Sequence, residues 1–104
     1  MFKKIEKVKI SIEMFKEIRR AMERISNSKK EGDKEIVEVA YENYFNVFDY
    51  ISMQFLLKNI NKKEFERFYL KALIETIEIH KDIDFKNDFS NMYEVYEKYT
   101  KKYK

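Results

Sequence analysis

Apolar residues near the start of the chain recur every three or four positions, the spacing of one face of a helix. Ile5, Val8, Ile12 and Phe15 share one face, and Phe15, Ile18, Met22 and Ile25 share a face that has turned around the axis. This pattern predicts a first helix over residues 2–27. The stretch VKISIEM also alternates like a strand, but no other segment offers that strand a partner. Helix is therefore favoured for residues 7–14, with strand as the alternative.

Small and polar residues interrupt the pattern in the segment SNSKKEG, from Ser26 to Gly32. Gly32 suits a left-handed helix end, and Asp33 is placed to cap the helix that follows. We expect the first connection of the fold here.

The second predicted helix covers residues 33–59 and is apolar around most of its circumference. Its central stripe consists of Val37, Tyr41, Tyr44, Phe45, Phe48, Ser52 and Phe55. The opposite strip is polar and consists of Glu35, Glu38, Glu42, Asn46 and Asp49. So wide an apolar surface predicts burial by more than one neighbour. The rings of YENYFNVFDY are therefore expected inside the protein, where they cannot stack on bases.

A third helix over residues 62–82 begins at the clearest local signal in the chain. Asn61 can accept from the Glu64 amide while Glu64 reaches back, and Ile60 can pack on Phe65. Asp88 or Ser90 is then expected to cap a fourth helix over residues 88–103.

Four helices joined by short connections predict an all-α fold, a compact antiparallel bundle that forms a single domain over residues 1–104. Its core is expected to include Tyr44, Phe45, Phe48, Phe68 and Leu73.

Composition agrees with helices, because one glycine and no proline leave little with which to build tight turns. The absence of cysteine rules out disulfides and thiolate metal ligands and fits a reducing compartment. Polar residues break every apolar run far short of the roughly 20 residues that a membrane span needs. We expect a soluble, cytoplasmic chain without a membrane span.

Charge is unevenly distributed along the chain. Residues 1–30 carry a net charge of +6, residues 31–61 carry −4 and residues 62–104 carry +1. Pairs between the basic first helix and the acidic second helix are therefore expected, namely Arg19, Arg20 and Arg24 with Glu35, Glu38 and Glu42, within the chain or across a dimer.

Nucleic-acid binding is the alternative use of this basic segment. Its candidate contacts are Arg19, Arg20, Arg24, Lys29 and Lys30. A total charge of +3 is weak beside the strongly basic face of most nucleic-acid-binding domains, so this alternative is not favoured.

The only histidine, His80, limits the possible catalytic and metal sites. A di-iron bundle site uses Glu-x-x-His, but Ile77 stands three positions earlier, and a zinc site needs further His or Cys ligands. Helical ribonucleases with an Arg-x4-His dyad would need arginine where this chain has Glu75. We expect a structural His80, no catalytic residue, no metal and no cofactor. An enzyme with carboxylate chemistry is the weaker alternative.

Tyrosines crowd the fourth predicted helix among lysines. Tyr93, Tyr96, Tyr99 and Tyr103 are expected at the edge of the core, and as the alternative they form a partner surface, because aromatic residues are enriched where proteins meet.

Residues 42–77, ENYFNVFDYISMQFLLKNINKKEFERFYLKALIETI, resemble the central part of a family of small helical domains known only as a domain of unknown function. The shared features are an Asn-Tyr-Phe core at Asn43, Tyr44 and Phe45, an aliphatic continuation, a turn at Ile60 and a second amphipathic helix. The resemblance implies a helical domain and no activity. Members of that family often follow an N-terminal membrane segment, which the start of this chain does not show.

These observations favour a non-enzymatic interaction or scaffolding module that presents helix faces to an unknown protein partner and to a copy of itself. Four short helices are not expected to cover the apolar surfaces of the first two helices. A two-fold homodimer, in which the first helix pairs with its symmetry mate, would cover them. The alternative is a single bundle that hides all of this surface.

Overall fold

The computed structural model describes the backbone of residues 2–101 and the side chains of residues 12–101. Over this range it contains five helices and no strand, which confirms the all-α prediction. The helices are α1 (Phe2–Glu31), α2 (Lys34–Leu56), α3 (Lys62–Phe65, a π-helical turn at Glu66–Leu70, then Lys71–Ile79), α4 (Phe85–Asp88) and α5 (Ser90–Thr100). Residues 7–14 lie within α1, so the strand alternative is wrong.

The connection between α1 and α2 follows the local signals. Gly32 has a φ of 77°, and the Asp33 carboxylate accepts from the Glu35 and Ile36 amides at 2.9 and 3.4 Å. The predicted helix end at residue 27 is wrong, because α1 continues to Glu31. Ser28 is compatible with this continuation, since its hydroxyl donates to the Ile25 carbonyl at 2.8 Å and is not left unsatisfied.

Helix α1 packs on α2 through a narrow stripe of residues. The buried members of the stripe are Met14, Ile18, Ala21 and Ser28, spaced four, three and seven residues apart. Ala21 and Ser28 are small, so they allow the two backbones to approach closely. Ile12, Phe15 and Met22 stay exposed, in line with the expectation that the helices of one chain do not cover the whole apolar surface of the first helix. One neighbouring helix covers only one stripe of a helix.

Helix α2 packs against both α1 and α5, as its wide apolar surface predicts. Phe45 and Phe48 are buried as predicted, while Tyr44 is half-buried with its ring 5.2 Å from that of Phe48. The helix ends at Leu56 instead of residue 59, and Lys58 takes a left-handed φ of 63°.

Helix α3 begins where the capping pattern predicts, with the Asn61 side chain accepting from the Glu64 amide at 3.1 Å. Leu73 is fully buried as predicted, but Phe68 is 54% exposed, so its assignment to the core is wrong. The π-helical turn explains the error. In an α-helix, residues four apart overshoot one turn by about 40°, and the wider π turn removes that overshoot, which keeps Phe65, Tyr69 and Leu73 on one buried face.

The last part of the described chain departs furthest from expectation. Helix α3 ends at Ile79 instead of residue 82, and Asp84 caps the short helix α4 by accepting from the Asn87 amide at 3.3 Å. Neither Asp88 nor Ser90 caps α5, so that prediction is wrong. Asp49 of α2 accepts from the Met92 amide at 2.9 Å instead. The predicted helix end at residue 103 lies outside the described residues.

All five helices contribute to one buried core, from Met14 and Ile18 in α1 to Met92 and Val95 in α5. The chain measures 47 × 33 × 20 Å. The 30 residues of α1 span about 45 Å, so this helix sets the long dimension. Because the 23 residues of α2 span about 35 Å and join α1 at its C-terminal end, the N-terminal end of α1 extends past α2.

Candidate interaction surface

Two clefts lie one after the other between α1 and α3, and α2 contributes to the lining of the second. At one end, a cleft of about 400 Å³ is lined by Ile12, Phe15 and Arg19 of α1 and by Phe68 and Tyr69 of α3. Further along, a cleft of about 350 Å³ is lined by Met22 and Ile25 of α1, Ala72 and Ile79 of α3, and Tyr41 and Tyr44 of α2. These two clefts together are called the α1/α3 groove. Residue numbers rise in the same sense along both walls, so α1 and α3 run in the same direction.

Both walls of the α1/α3 groove expose large apolar side chains. On α1, Ile12 is 52%, Phe15 45% and Met22 54% exposed. On α3, Phe68 is 54% and Ile79 72% exposed. Single exposed apolar residues are ordinary, but a contiguous apolar surface on two walls of a concave site is typical of an interaction site.

The exposed residues of α1 have the spacing of a pairing helix. Ile12, Phe15, Arg19 and Met22 are three, four and three positions apart, which is the a/d spacing of a heptad. Arg19 is the one charged residue among these four. The α1 wall therefore presents a helix-pairing stripe that Arg19 interrupts.

Charged side chains border the apolar walls. Lys16 and Arg19 of α1 line one cleft together with Glu64 of α3, and Glu75 of α3 lines the other. The groove thus carries basic groups on its α1 side and carboxylates on its α3 side.

The five basic residues predicted for nucleic-acid contact are not brought to one face. Successive residues turn by about 100° around a helix, so Arg20 lies about 100°, Arg24 about 140° and Lys29 about 280° from Arg19. Only Lys30 lies on nearly the same side as Arg19. Arg20 is paired with Glu17 of its own helix at 2.6 Å, and the Lys29 ammonium lies 5.4 Å from the centre of the Tyr41 ring.

The expected ion pairs between α1 and α2 are not present within the chain. Among the side chains that the structure describes, no ion pair links Arg19, Arg20 or Arg24 to Glu35, Glu38 or Glu42. Arg20 instead uses the acid one turn away on α1. Pairing of these residues across a dimer stays a prediction.

The tyrosines of α5 lie at the edge of the core. Tyr93, Tyr96 and Tyr99 are half-buried and pack against it. The Tyr96 hydroxyl donates to Glu78 at 3.2 Å and the Tyr99 hydroxyl donates to Glu66 at 2.8 Å, so both bind α3. Burial, reinforced by the Glu66 carboxylate, raises the pKa of Tyr99 to about 12. Tyr103 lies outside the described residues, and a partner surface formed by these four stays a prediction.

His80 lies in an aromatic setting at the end of α3. Its ring centre is 5.0 Å from that of Tyr41 and 5.1 Å from that of Phe45, and its backbone amide donates to the Thr76 carbonyl at 3.1 Å. These contacts are the ones that a structural His80 requires, and its structural role stays a prediction.

An acidic cleft adjoins His80. It has a volume of about 950 Å³, and its carboxylates are Glu38, Glu42, Asp82, Asp84 and Asp88. Over residues 12–101, no three histidine or acidic side chains are placed to hold a metal ion together. The weaker alternative of an enzyme with carboxylate chemistry stays a prediction.

Asp49 is an important residue that sequence reasoning missed. Its position in the polar strip of α2 suggested a solvated carboxylate. In the structure its two oxygens accept from the Met92 amide at 2.9 Å and the Asn91 side-chain amide at 3.2 Å. No sequence signal pointed to this role, because Asp88 and Ser90 are local cap candidates, and only the structure shows that Phe89 occupies the cap position of α5.

None of the described helices is both long enough and apolar enough to cross a membrane. No protein-family model, curated protein or solved structure matches this chain. The resemblance of residues 42–77 to a family of helical domains therefore stays a prediction.

Proposed function

We propose that this protein is a non-enzymatic interaction or scaffolding module that associates with a second copy of itself through the α1/α3 groove. The observation that supports this proposal is the set of large exposed apolar side chains on both groove walls, Ile12, Phe15, Met22, Phe68 and Ile79. The occupant of the groove is a second copy of the chain.

The exposed area is of the size that such an interface needs. An aromatic side chain buries about 150 to 250 Å², so a half-exposed ring leaves about 100 Å² to cover. Phe15 and Phe68 are such rings, and with a similar exposed area for each of Ile12, Met22 and Ile79 the five side chains of two copies leave about 1,000 Å², which is about the minimum for a specific interface. The α1 backbone and the polar rim add to this area. In a two-fold dimer, the same surface of each copy lies in the interface, so the exposed apolar area of both copies is covered.

Charge also favours a second copy as the occupant. The α1 side of the groove is basic through Lys16 and Arg19, and the α3 side carries Glu64 and Glu75. Because residues 1–30 carry a net charge of +6, an α1 helix placed over the groove as a whole is attracted to these carboxylates. Such charge complementarity contributes to encounter and orientation more than to affinity.

Sedimentation equilibrium at micromolar concentrations tests the proposal. The wild-type chain should approach twice its mass of 12.9 kDa as concentration rises. Phe68→Ala should weaken the dimer, because a half-exposed Phe gains about 1 to 1.5 kcal/mol on full burial and the change counts once in each copy. The expected loss of about 2 to 3 kcal/mol corresponds to about a 30- to 150-fold rise in Kd.

Leu57→Ala is the matched control. Leu57 is 61% exposed, like Phe68, but it lies outside the groove at the end of α2. Its substitution should leave the dimer unchanged. A mass of 12.9 kDa throughout the concentration range, or equal weakening by both variants, would refute the proposal.

Retention on mixed DNA and RNA tests the nucleic-acid alternative. A phosphate-binding protein loses affinity steeply between about 50 and 200 mM salt. The groove proposal predicts no such salt-sensitive retention. Retention that Arg24→Ala abolishes, from a chain that remains monomeric, would support the alternative.

A further inference from the structure

We infer that the α1/α3 groove holds helix α1 of the second copy, running antiparallel to both α1 and α3. This inference rests on the self-association proposed above and specifies which element fills the groove and in which direction it runs. The shared direction of the two walls and the position of Arg19 both favour this arrangement.

The direction of the walls favours an antiparallel occupant. Because α1 and α3 run in the same direction on α2, a helix that lies between them is either parallel to both or antiparallel to both. Neighbouring helices in up-down bundles alternate in direction, and antiparallel neighbours place opposite ends of their dipoles together. An antiparallel α1 from the second copy would continue the alternation that α1, α2 and α3 already show.

Arg19 selects the same direction. In a parallel two-fold pair, the heptad stripe would place the two Arg19 side chains next to each other within an apolar seam, and like charges brought together there oppose association. In an antiparallel pair centred between Phe15 and Arg19, each Arg19 instead faces a Phe15 ring, where a guanidinium is attracted to the aromatic face. The same register sets Ile12 against Met22.

Lys16 also lines the groove, close to the proposed two-fold axis. Its long aliphatic stem can cover apolar surface while its ammonium group reaches water at the edge of the interface. Arg19, which is part of the heptad stripe itself, has less freedom to do so. Arg19 is therefore the charged residue that adds most to the antiparallel preference set by the groove walls.

The antiparallel register predicts distances that a parallel pair cannot produce. The pair is centred near residue 17, and α1 rises about 1.5 Å per residue. With helix axes about 9 Å apart, the two copies of Lys30 would be about 40 Å apart and the two copies of Glu23 about 20 Å apart. In a parallel pair, both distances would be close to the spacing between the helix axes.

Pulsed electron spin resonance measures these distances directly. The chain has no cysteine, so Lys30→Cys and Glu23→Cys each carry a single spin label on an exposed site. The distance should be about 20 Å longer at Lys30 than at Glu23, a difference in which the label's own length largely cancels because the two sites are seven residues apart on the same side of α1. Equal distances at both sites in a dimeric sample would overturn the antiparallel arrangement while leaving self-association intact. A sample that stays monomeric would refute the self-association itself.

Arg19→Leu tests the cause of the orientation. Without the charge, the parallel pair loses its penalty, so the Lys30 label should show a second population at short distance beside the long one. Arg24→Leu, which removes a charge about 140° away on the same helix, is the control and should keep a single long distance. A single long distance in Arg19→Leu would overturn the role assigned to Arg19.

Discussion

Asp49→Ala should destabilise the protein by removing the cap of a helix that begins more than forty residues later. The Asp49 carboxylate accepts from the Met92 amide at 2.9 Å and from the Asn91 side chain at 3.2 Å. It thereby satisfies an amide in the first turn of α5, and its negative charge lies at the positive end of that helix. It also ties α5 to α2.

The expected magnitude follows from these contacts. Loss of a capping side chain costs about 0.5 to 2 kcal/mol, and loss of a negative charge at a helix N-terminus costs about 0.3 to 1 kcal/mol more. Water can replace the Asn91 contact in part, because Asp49 is only half-buried. We expect a loss of about 2 kcal/mol, equivalent to a fall in Tm of about 8 to 16 °C for a domain of this size. Asp49→Asn keeps an acceptor oxygen and should lose only about half as much.

Urea denaturation followed by circular dichroism measures the loss, and faster hydrogen exchange of the Met92 amide would locate it. Glu42→Ala removes an exposed carboxylate from the same helix and should change stability by less than about 0.5 kcal/mol. The capping explanation would be refuted if Asp49→Ala matched wild type. It would also fail if Asp49→Asn were as damaging as Asp49→Ala.

Three further perturbations probe other parts of the fold. Phe48→Ala should lower the free energy of unfolding, measured by urea denaturation, by about 3 to 5 kcal/mol, because the ring is 1% exposed. Wild-type stability in this variant would show that the ring is peripheral. Burial first, and a nearby carboxylate second, raise the pKa of Tyr69 and Tyr99 from 10.0 to about 12. The folded state therefore holds these protons more tightly than the unfolded state does. The contribution of the two tyrosines to the free energy of unfolding should be fully present below pH 10.0 and should be lost as pH rises towards about 12. The loss should be less steep in Tyr99→Phe. Gly32→Ala should lower the free energy of unfolding by about 1 kcal/mol, because a φ of 77° strains the backbone of any residue with a Cβ, even though this Cβ would meet no neighbour. Thermal melts measure the loss, and an unchanged Tm would contradict it.

The sequence by itself determined the helices and several of their ends. Gly32, Asp33 and Asn61 act on backbone groups within a few residues, so their roles depend on neighbours that are visible in the sequence. The three-and-four spacing of apolar residues likewise belongs to each helix alone. For this reason the all-α fold, the α1–α2 connection and the start of α3 could be predicted.

The tertiary structure decided which apolar surfaces are buried and which form the groove. Helix α1 has more than one apolar stripe, and the sequence does not state which of them meets α2. The small residues Ala21 and Ser28 lie in the buried stripe, and Phe15 remains outside. Phe68 is exposed because a π-helical turn keeps Tyr69 on the buried face, and its position on the groove wall followed from that turn.

Contacts between distant parts of the chain could not be predicted from local sequence patterns. The sequence places Asp49 in the polar strip of α2, where a solvated carboxylate is expected. Only the packing of α5 against α2 brings the Met92 amide to Asp49, which then caps α5. Tyr99 reaches Glu66 in the same way, across 33 residues of sequence. The local spacing of residues determines which side chains lie on each face of a helix. The position of the other helices decides which of those side chains meet a partner in the chain and which, like Phe15 and Phe68, remain at the surface.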